Sequence, residues 1–144
     1  MFRGRFYHTI DPKGRLSIPS KFRDVLDGER RLVIVPNEHG LEVHPMKLWE
    51  QIEAKVKMLP QMDPDVQKFN RLYISSAVDA VLDGQGRIQI QPDLRQRAGL
   101  AKDVVLVGWV GKFEIWNKER WEEYLRTNEA ALPSLYEKIS SRGV

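Results

Sequence analysis

The sequence contains no cysteine among its 144 residues. This absence excludes disulfide bonds, thiolate metal sites and a cysteine nucleophile, and it is typical of proteins kept in a reducing compartment. Long apolar runs are also missing: the longest, at 104–111, is far shorter than the ~20 residues that span a bilayer. The first residues, MFRGRF, are charged and no apolar segment follows them, so we expect no secretory signal. These absences predict a cytoplasmic protein with no membrane partner.

Motifs of the common enzyme classes are missing as well. There is no Walker loop, no G-x-G-x-x-G segment after a strand and no H-E-x-x-H motif. The three histidines, His8, His39 and His44, lack partner ligands at the spacing of a zinc site. Asp11 and Asp83 could form a carboxylate pair only if their turns met in space. We therefore expect a protein that is not an enzyme, with no metal, no cofactor and no small-molecule substrate.

Charge is unevenly distributed along the chain. Residues 1–31 hold eight Lys or Arg against four Asp or Glu, whereas the remaining residues are close to neutral in sum. A basic amino-terminal region favours a phosphate-rich partner such as nucleic acid. A solvated basic face is an equally good interpretation of the charge alone.

The chain repeats itself after a shift of 72 residues. Ten of the forty positions at 11–50 are identical in 83–122, and apolar character is kept at many others. The clearest matches are DPKGRLSIP at 11–19 and DGQGRIQIQ at 83–91. The pattern indicates an internal duplication. Each copy is too short to be stable alone, so we expect the two copies to share one core.

The pattern predicts the same order of elements in both copies: strand, turn, strand, short helical segment, two strands and a helix. The first copy is expected at 5–47, with a helical extension to about 76, and the second at 77–120, with a helical tail to 144. Asn117 is a plausible helix N-cap, and Trp116 and Trp121 are spaced as a hydrophobic staple. The expected fold class is α+β, mainly β.

The Asp-x-x-Gly-Arg segments predict two tight turns. Gly14 and Gly86 would supply the positive φ of a hairpin turn, and Asp11 and Asp83 would bond back to the turn backbone. Leu16 and the other aliphatic residues that follow should face inward, because they alternate with polar residues. We expect each motif to build a hairpin that presents an outward arginine.

The arginines of the two turns are candidate binding residues. Arg15 could bind phosphate or the edge of guanine, or it could only pair with Asp11 and lock the turn. Lys13 adds charge beside Arg15, whereas Arg87 has Gln85 as its neighbour. Arg3 and Arg5 precede the first turn and are further candidates for DNA contact.

Several motifs together resemble the MraZ family: MFRG at the start, DPKGRLSIP, DGQGRIQIQPDLRQRAGL, VVLVG and KFEIWNKERW, which cover almost the whole chain. The resemblance implies two tandem AbrB-like half-barrels of the swapped-hairpin type, related by pseudo-two-fold symmetry. It implies a nucleoid-associated, ring-like homo-oligomer that binds double-stranded DNA at repeated sites upstream of its own division and cell-wall gene cluster. Asp11, Lys13, Gly14 and Arg15 coincide with the family's first motif, and Asp83, Gly86 and Arg87 with its second.

Two departures favour the first copy as the main DNA reader. Gln91 stands where the family often has proline, and Gln85 replaces the lysine of the first turn. Two other functions stay open: an AbrB-fold nucleoid-associated or antitoxin-type DNA binder with a different operator, and an oligomeric protein-interaction module. The operator sequence, the subunit number and the choice between repression and activation are not readable from the residues.

Overall fold

The computed structural model describes residues 1–144. The first copy comprises β1 (Arg5–Thr9), β2 (Arg15–Ser17), α1 (Ser20–Leu26), β3 (Arg31–Pro36), β4 (Gly40–Pro45) and α2 (Met46–Lys57). The connection contains α3 (Pro64–Leu72) and a 3₁₀ turn (Ile74–Ser76). The second copy comprises β5 (Val78–Val81), β6 (Arg87–Gln89), α4 (Pro92–Arg97), β7 (Asp103–Trp109), β8 (Lys112–Asn117) and α5 (Lys118–Asn128), and α6 (Leu132–Ser140) follows it. The α+β class and the predicted order of elements in each copy are confirmed.

The two copies interleave their strands. One antiparallel sheet of six strands has the order β1-β7-β8-β4-β3-β5, so the first strand of each copy pairs with the third strand of the other. The strands β2 and β6 form a separate two-stranded ladder. Exchanging the copies leaves both pairing patterns unchanged, which gives the chain a pseudo-two-fold relation between its halves.

The predicted hairpin between β1 and β2 is wrong. β1 pairs with β7 and β2 pairs with β6, and the backbone hydrogen bond from Asp11 N–H to Arg15 O, at 3.0 Å, is local to the turn and does not extend into a ladder between β1 and β2. The strand pattern of the two copies is the same, so an alternating segment is equally suited to a partner from its own copy or from the other. A tight turn is present at 11–15, as predicted, but the strands before and after it belong to different ladders.

One apolar core joins both copies. It contains 19 buried residues and lies between one face of the six-stranded sheet and a second layer made of the β2–β6 ladder with α1 and α4. Leu16 and Ile88 lie directly opposite each other in that ladder, and both are buried. Phe22 on α1 packs against Phe113 of β8, with 4.9 Å between ring centroids. The expectation of a shared core is confirmed, because both copies contribute buried residues to this one cluster.

The second face of the sheet is covered by α2 and α5, which share an aromatic contact at their first turn but differ in their caps, because Pro45 before α2 makes no side-chain cap bond. Asn117 caps α5 by accepting hydrogen bonds from the backbone N–H groups of Glu119 and Arg120 at 2.9 and 3.2 Å. Trp116, before the cap, packs edge-on against Trp121 at 5.0 Å. In the first copy His44 and Trp49 stand at the equivalent positions, also 5.0 Å apart. The predicted cap and staple are confirmed.

Two buried carboxylates face each other across the centre of this second face. Glu42 of β4 is the direct ladder partner of Glu114 of β8, and each is only 5% exposed. The side-chain amide of Asn37 donates to both, at 3.3 and 2.9 Å. Glu42 also accepts from Tyr73 and Lys112, so α3 and the chain after it are tied to the centre of the sheet.

Burial alone would raise the pKa of Glu42, but hydrogen bonds from His44 and Tyr73, the charge of Lys112 and the Asn37 amide together lower it to about 2. The same carboxylate raises the pKa of the Tyr73 hydroxyl, in the same direction as its burial. An ionised Glu42 is therefore part of the folded state at neutral pH.

The helices after the two copies differ. Tyr73 and the 3₁₀ turn pack against Val33, Val35 and Trp49, but α6 leaves its apolar residues exposed. The exposed set is Leu132, Leu135, Tyr136 and Ile139, each 40–65% accessible. No helix in the protein is long and apolar enough to cross a membrane.

We predict that Glu42→Gln lowers the free energy of unfolding at pH 7 and flattens its dependence on pH. The folded pKa of Glu42 lies below its ordinary value of 4.5, so ionised Glu42 stabilises the fold above about pH 5, and this contribution disappears as the pH falls towards about 2. Urea unfolding followed between pH 7 and pH 2.5 measures the difference. Glu38→Gln, at a carboxylate 84% exposed, is the matched control. Parallel pH curves for wild type and Glu42→Gln would contradict the prediction.

Candidate nucleic-acid interface

The first turn is held by one carboxylate. Asp11 Oδ1 accepts hydrogen bonds from the backbone N–H groups of Lys13 and Arg15, both at 2.9 Å, while Oδ2 accepts from Nε of Arg15 at 2.6 Å. The backbone N–H of Gly14 donates to the carbonyl of Asp11 at 2.9 Å. Gly14 has a φ of +82°, as the sequence predicts. The side chain of Asp11 therefore fixes both the loop and the arginine that leaves it.

The second turn repeats this arrangement atom for atom. Asp83 Oδ1 accepts from the backbone N–H groups of Gln85 and Arg87 at 2.8 and 3.0 Å, and Oδ2 accepts from Nε of Arg87 at 2.9 Å. Gly86 has a φ of +74°. In both turns the aspartate bonds to its own turn backbone and the glycine has a positive φ, which is the arrangement that the spacing of these four residues predicts.

The turn bonds also set the charge of the aspartates. The backbone N–H of Arg15 is the main cause that lowers the pKa of Asp11, with the Arg15 side chain adding to it. The backbone N–H of Arg87 lowers the pKa of Asp83 in the same way. Both carboxylates are thus ionised at neutral pH, and each offsets the charge of its own arginine.

The β2–β6 ladder brings the two turns to opposite ends of one ribbon. Ile18 N–H donates to Gly86 O at 2.9 Å, and Ile90 N–H donates to Gly14 O at 2.8 Å, so each strand is stitched to the turn of the other copy. The inward residues are buried in the core. The outward residues form a polar face, which we call the ribbon face: Arg15, Ser17, Arg87 and Gln89.

Arg15 locks its turn and still offers donors to a ligand. Its Nε is used by Asp11, its side chain is 35% exposed, and no hydrogen bond of the protein engages its terminal nitrogens. Arg87 is held in the same way by Asp83 and is 25% exposed. The two interpretations of these arginines are therefore compatible, because a guanidinium fixed through Nε keeps its outer edge available.

The other candidates fall into two groups. Lys13 lies beside Arg15 in the first turn, exposed and without a side-chain partner, and its carbonyl accepts a hydrogen bond from Gln89 at 2.9 Å. Arg3 and Arg5 are not part of this cluster. Arg5 stands six positions before Asp11, roughly 20 Å along an extended chain, and its guanidinium lies over the ring of Trp121 at 5.1 Å.

Two arginines outside the set of candidate binding residues, Arg23 and Arg95, also contact the turns. A methyl group on Gly86 would lie 2.8 Å from Cδ of Arg23, and one on Gly14 would lie 3.3 Å from Nη2 of Arg95. Arg23 and Arg95 are equivalent under the 72-residue shift, and each reaches the turn of the other copy. Their identity in the aligned copies was the only signal that could have pointed to them.

The histidines have structural contacts. His8 Nδ1 lies 2.9 Å from the carbonyl oxygen of Ser17, and His39 stacks on Trp116 at 4.4 Å. His44 Nε2 lies 3.0 Å from Oε1 of Glu42. No group of three or more His, Cys, Asp or Glu side chains is placed to hold a metal ion.

We predict that the loss of unfolding free energy on substitution by alanine differs among three glycines, according to the φ angle and the space around each. Gly84→Ala, at a position without positive φ and with open space around it, should be near neutral. Gly28→Ala, at φ +86° in open space, should cost about 1–2 kcal/mol. Gly14→Ala should cost more, because its φ is positive and its Cβ would lie 2.6 Å from the carbonyl oxygen of Ile90. Chemical denaturation measures the order, and an equal loss at Gly14 and Gly28 would contradict it.

Comparison with known proteins identifies the relatives of this chain. A family described as "MraZ protein, putative antitoxin-like" matches twice, at residues 1–72 and 73–138. The chain is 43% identical to the transcriptional regulator MraZ of Desulfosudis oleivorans over 129 residues, which are 90% of this chain and 88% of that protein. It is 41% identical to the transcriptional regulator MraZ of Desulfitobacterium hafniense strain Y51 and 38% identical to that of Acetivibrio thermocellus, over the whole length of each protein. Its two tandem matches and its similarity to full-length relatives show that the chain belongs to the MraZ family.

Proposed function

We propose that this protein is a transcriptional regulator that binds double-stranded DNA through the ribbon face. The observation that carries the proposal is the pair of arginines, Arg15 and Arg87, which are fixed by aspartates and directed outward from one short ladder. The similar proteins named above are transcriptional regulators by name, which supports the same class of function for this chain.

The ribbon face has dimensions suited to the major groove. A two-stranded antiparallel ribbon fits that groove, which is ~12 Å wide. The Cα atoms of Arg15 and Arg87 stand diagonally across the ladder, roughly 8 Å apart for two residues along a strand and one strand spacing. Both arginines can therefore enter one groove. Each presents a planar pair of terminal nitrogens, the geometry that pairs with guanine O6 and N7 or with phosphate.

We assign the main reading role to the first turn. Lys13 adds a free ammonium group beside Arg15, whereas the equivalent Gln85 is neutral. Gln89 is tied to the first turn through its bond to the Lys13 carbonyl, so its amide stands close to the same DNA segment. The second turn would contribute weaker contacts.

A single ribbon face is small, and we propose that several protomers in a ring-like homo-oligomer bind together. The exposed apolar residues of α6 and the exposed Trp109 and Val110 at the tip of the β7–β8 hairpin are surfaces that self-association would bury. Repeated sites upstream of the protein's own division and cell-wall gene cluster are the proposed target, by its membership of the family. The protein would then act in the cytoplasm, at the nucleoid.

We predict that Arg15→Ala weakens binding more than Arg87→Ala. Fluorescence anisotropy on DNA from upstream of the protein's own gene measures both, after light scattering shows an unchanged oligomer. Loss of one charged hydrogen-bond pair should weaken binding about tenfold or more for Arg15→Ala. Arg31→Ala, which removes an arginine paired with Glu29 away from the ribbon face, is the matched control.

The outcomes separate the alternatives. Equal losses at Arg15 and Arg87 would mean that both turns read DNA equally. Binding by wild type to unrelated DNA but not to its own upstream region would favour a DNA binder with another operator. Failure of wild type to bind any DNA at physiological salt, with an intact oligomer, would favour a protein-interaction module.

We also predict that affinity depends on the number of DNA repeats. Contacts from linked protomers raise avidity by on the order of 10²–10⁴ when the spacing lets them bind together. A titration should therefore give much tighter binding to an array of repeats than to one isolated repeat, and a steep decrease with salt. The control is an array of the same length with scrambled spacers. Equal affinity for one repeat and for the array would contradict the avidity explanation.

A further inference from the structure

Because the two copies are related by pseudo-two-fold symmetry, each residue at one end of the β2–β6 ladder can be compared with its equivalent at the other end. Each end has a turn, an arginine that crosses from the other copy, and a basic residue just before the third strand of the other copy. Beside the first turn these are Arg95 and Lys102, and beside the second they are Arg23 and Arg30. The two ends differ in what these cations bind.

The Nε group of the arginine that reaches the turn of the other copy has a hydrogen-bond acceptor at the second end but none at the first. Nε of Arg23 donates to the carbonyl oxygen of Ile18 at 3.1 Å. Nε of Arg95 is buried, and no hydrogen bond reaches it, although the equivalent carbonyl of Ile90 is present. A buried guanidinium N–H without an acceptor costs free energy. The terminal nitrogens of Arg95 also make no hydrogen bond, and they are not buried as Nε is, so they are the donors that an acceptor in the groove can reach.

The second basic residue shows the same difference. Arg30 donates to the carbonyl oxygen of Leu82 through both Nε and Nη2, at 3.1 and 2.6 Å. The equivalent Lys102 uses only its backbone, whose carbonyl accepts from Ile10 at 2.8 Å. Its ammonium group has no hydrogen bond or ion pair, and the side chain lines a groove together with Arg95 and Asp11.

The one carboxylate of this groove is already neutralised. Asp11 is paired with Arg15 at 2.6 Å and also accepts two backbone N–H groups of its turn. The groove therefore keeps an excess of positive charge from Arg95 and Lys102. The groove adjoins the turn that we propose as the DNA reader, because Asp11 and Pro12 line it and Arg95 lies against Gly14.

We propose that the groove between the first turn and α4 is a phosphate-binding site that holds a phosphate of the DNA backbone, with Arg95 and Lys102 as its donors. The inference rests on the proposed function and adds a partner for that surface. A phosphate oxygen would accept hydrogen bonds from the terminal nitrogens of Arg95 and from the ammonium group of Lys102, and both side chains are common partners of phosphate. The phosphate would fix the register of the ribbon, while Arg15 reads or grips the adjacent nucleotide.

The test compares Lys102→Met with Arg30→Met, and Arg95→Met with wild type. Each substitution removes one positive charge and keeps an apolar stem. Anisotropy titrations on the upstream DNA between 50 and 200 mM salt give the affinity and the slope of its logarithm against that of salt. Loss of one phosphate contact should lower the slope by about 0.9 for each bound protomer and weaken binding roughly tenfold.

We expect the two groups of variants to have opposite effects: one should alter DNA binding without loss of stability, and the other should lower stability without altering the salt slope. Lys102→Met and Arg95→Met should reduce the slope equally for cognate and unrelated DNA, since a phosphate carries no sequence. Lys102→Met should keep the unfolding free energy of wild type, and Arg95→Met should not lower it, because it removes a buried N–H that has no acceptor. Arg30→Met should lower the unfolding free energy, because the Leu82 carbonyl loses its donors, and should leave the slope unchanged.

The proposal would be overturned if Lys102→Met and Arg95→Met bound DNA with the affinity and slope of wild type, or if Arg30→Met reduced the slope as much as they do. Either result would leave the ribbon-face proposal standing, provided that Arg15→Ala still lost binding. A wild-type protein that bound no DNA would instead refute the proposed function itself.

Discussion

The pairing of β2 with β6 is the constraint on which the remaining structure depends. It places Leu16 against Ile88 at the base of the shared core, and it joins each strand to the turn of the other copy through the backbone bonds of Ile18 and Ile90. If the ladder opened, the core would lose one wall and both arginines would lose the surface from which they project. The proposed binding surface and the wall of the core thus depend on the same three-residue ladder.

The two ends of the ladder have the same backbone arrangement, but some of their side chains differ. The two aspartate turns agree in every hydrogen bond that forms them. Around them, Lys13 is replaced by Gln85, and Arg30, which is bonded to a carbonyl, is replaced by Lys102, which is free. The backbone therefore sets where the two ends stand, and the unequal cations set how strongly each end attracts an anion.

Features that depend on residues close in sequence could be predicted from the sequence. The bond between Asp11 and Arg15, the positive φ of Gly14 and the cap at Asn117 all involve residues within four positions of one another, so their spacing is sufficient evidence. The partner of β2 could not be predicted, because a period of two is the same for a partner in either copy. Arg95 and Lys102 carried no local signal, since their place beside the first turn results from pairing between strands 70 or more residues apart in sequence.

The interleaved strands have a consequence for how the two turns can change. In a symmetric pair of identical chains, any substitution in one turn occurs in both, so a gain at one end is tied to the same alteration at the other. Here the two halves are covalently joined and encoded separately, yet they still share one core. Each turn can therefore mutate alone while the other preserves the ladder, and an originally symmetric surface can acquire a direction along the nucleic acid.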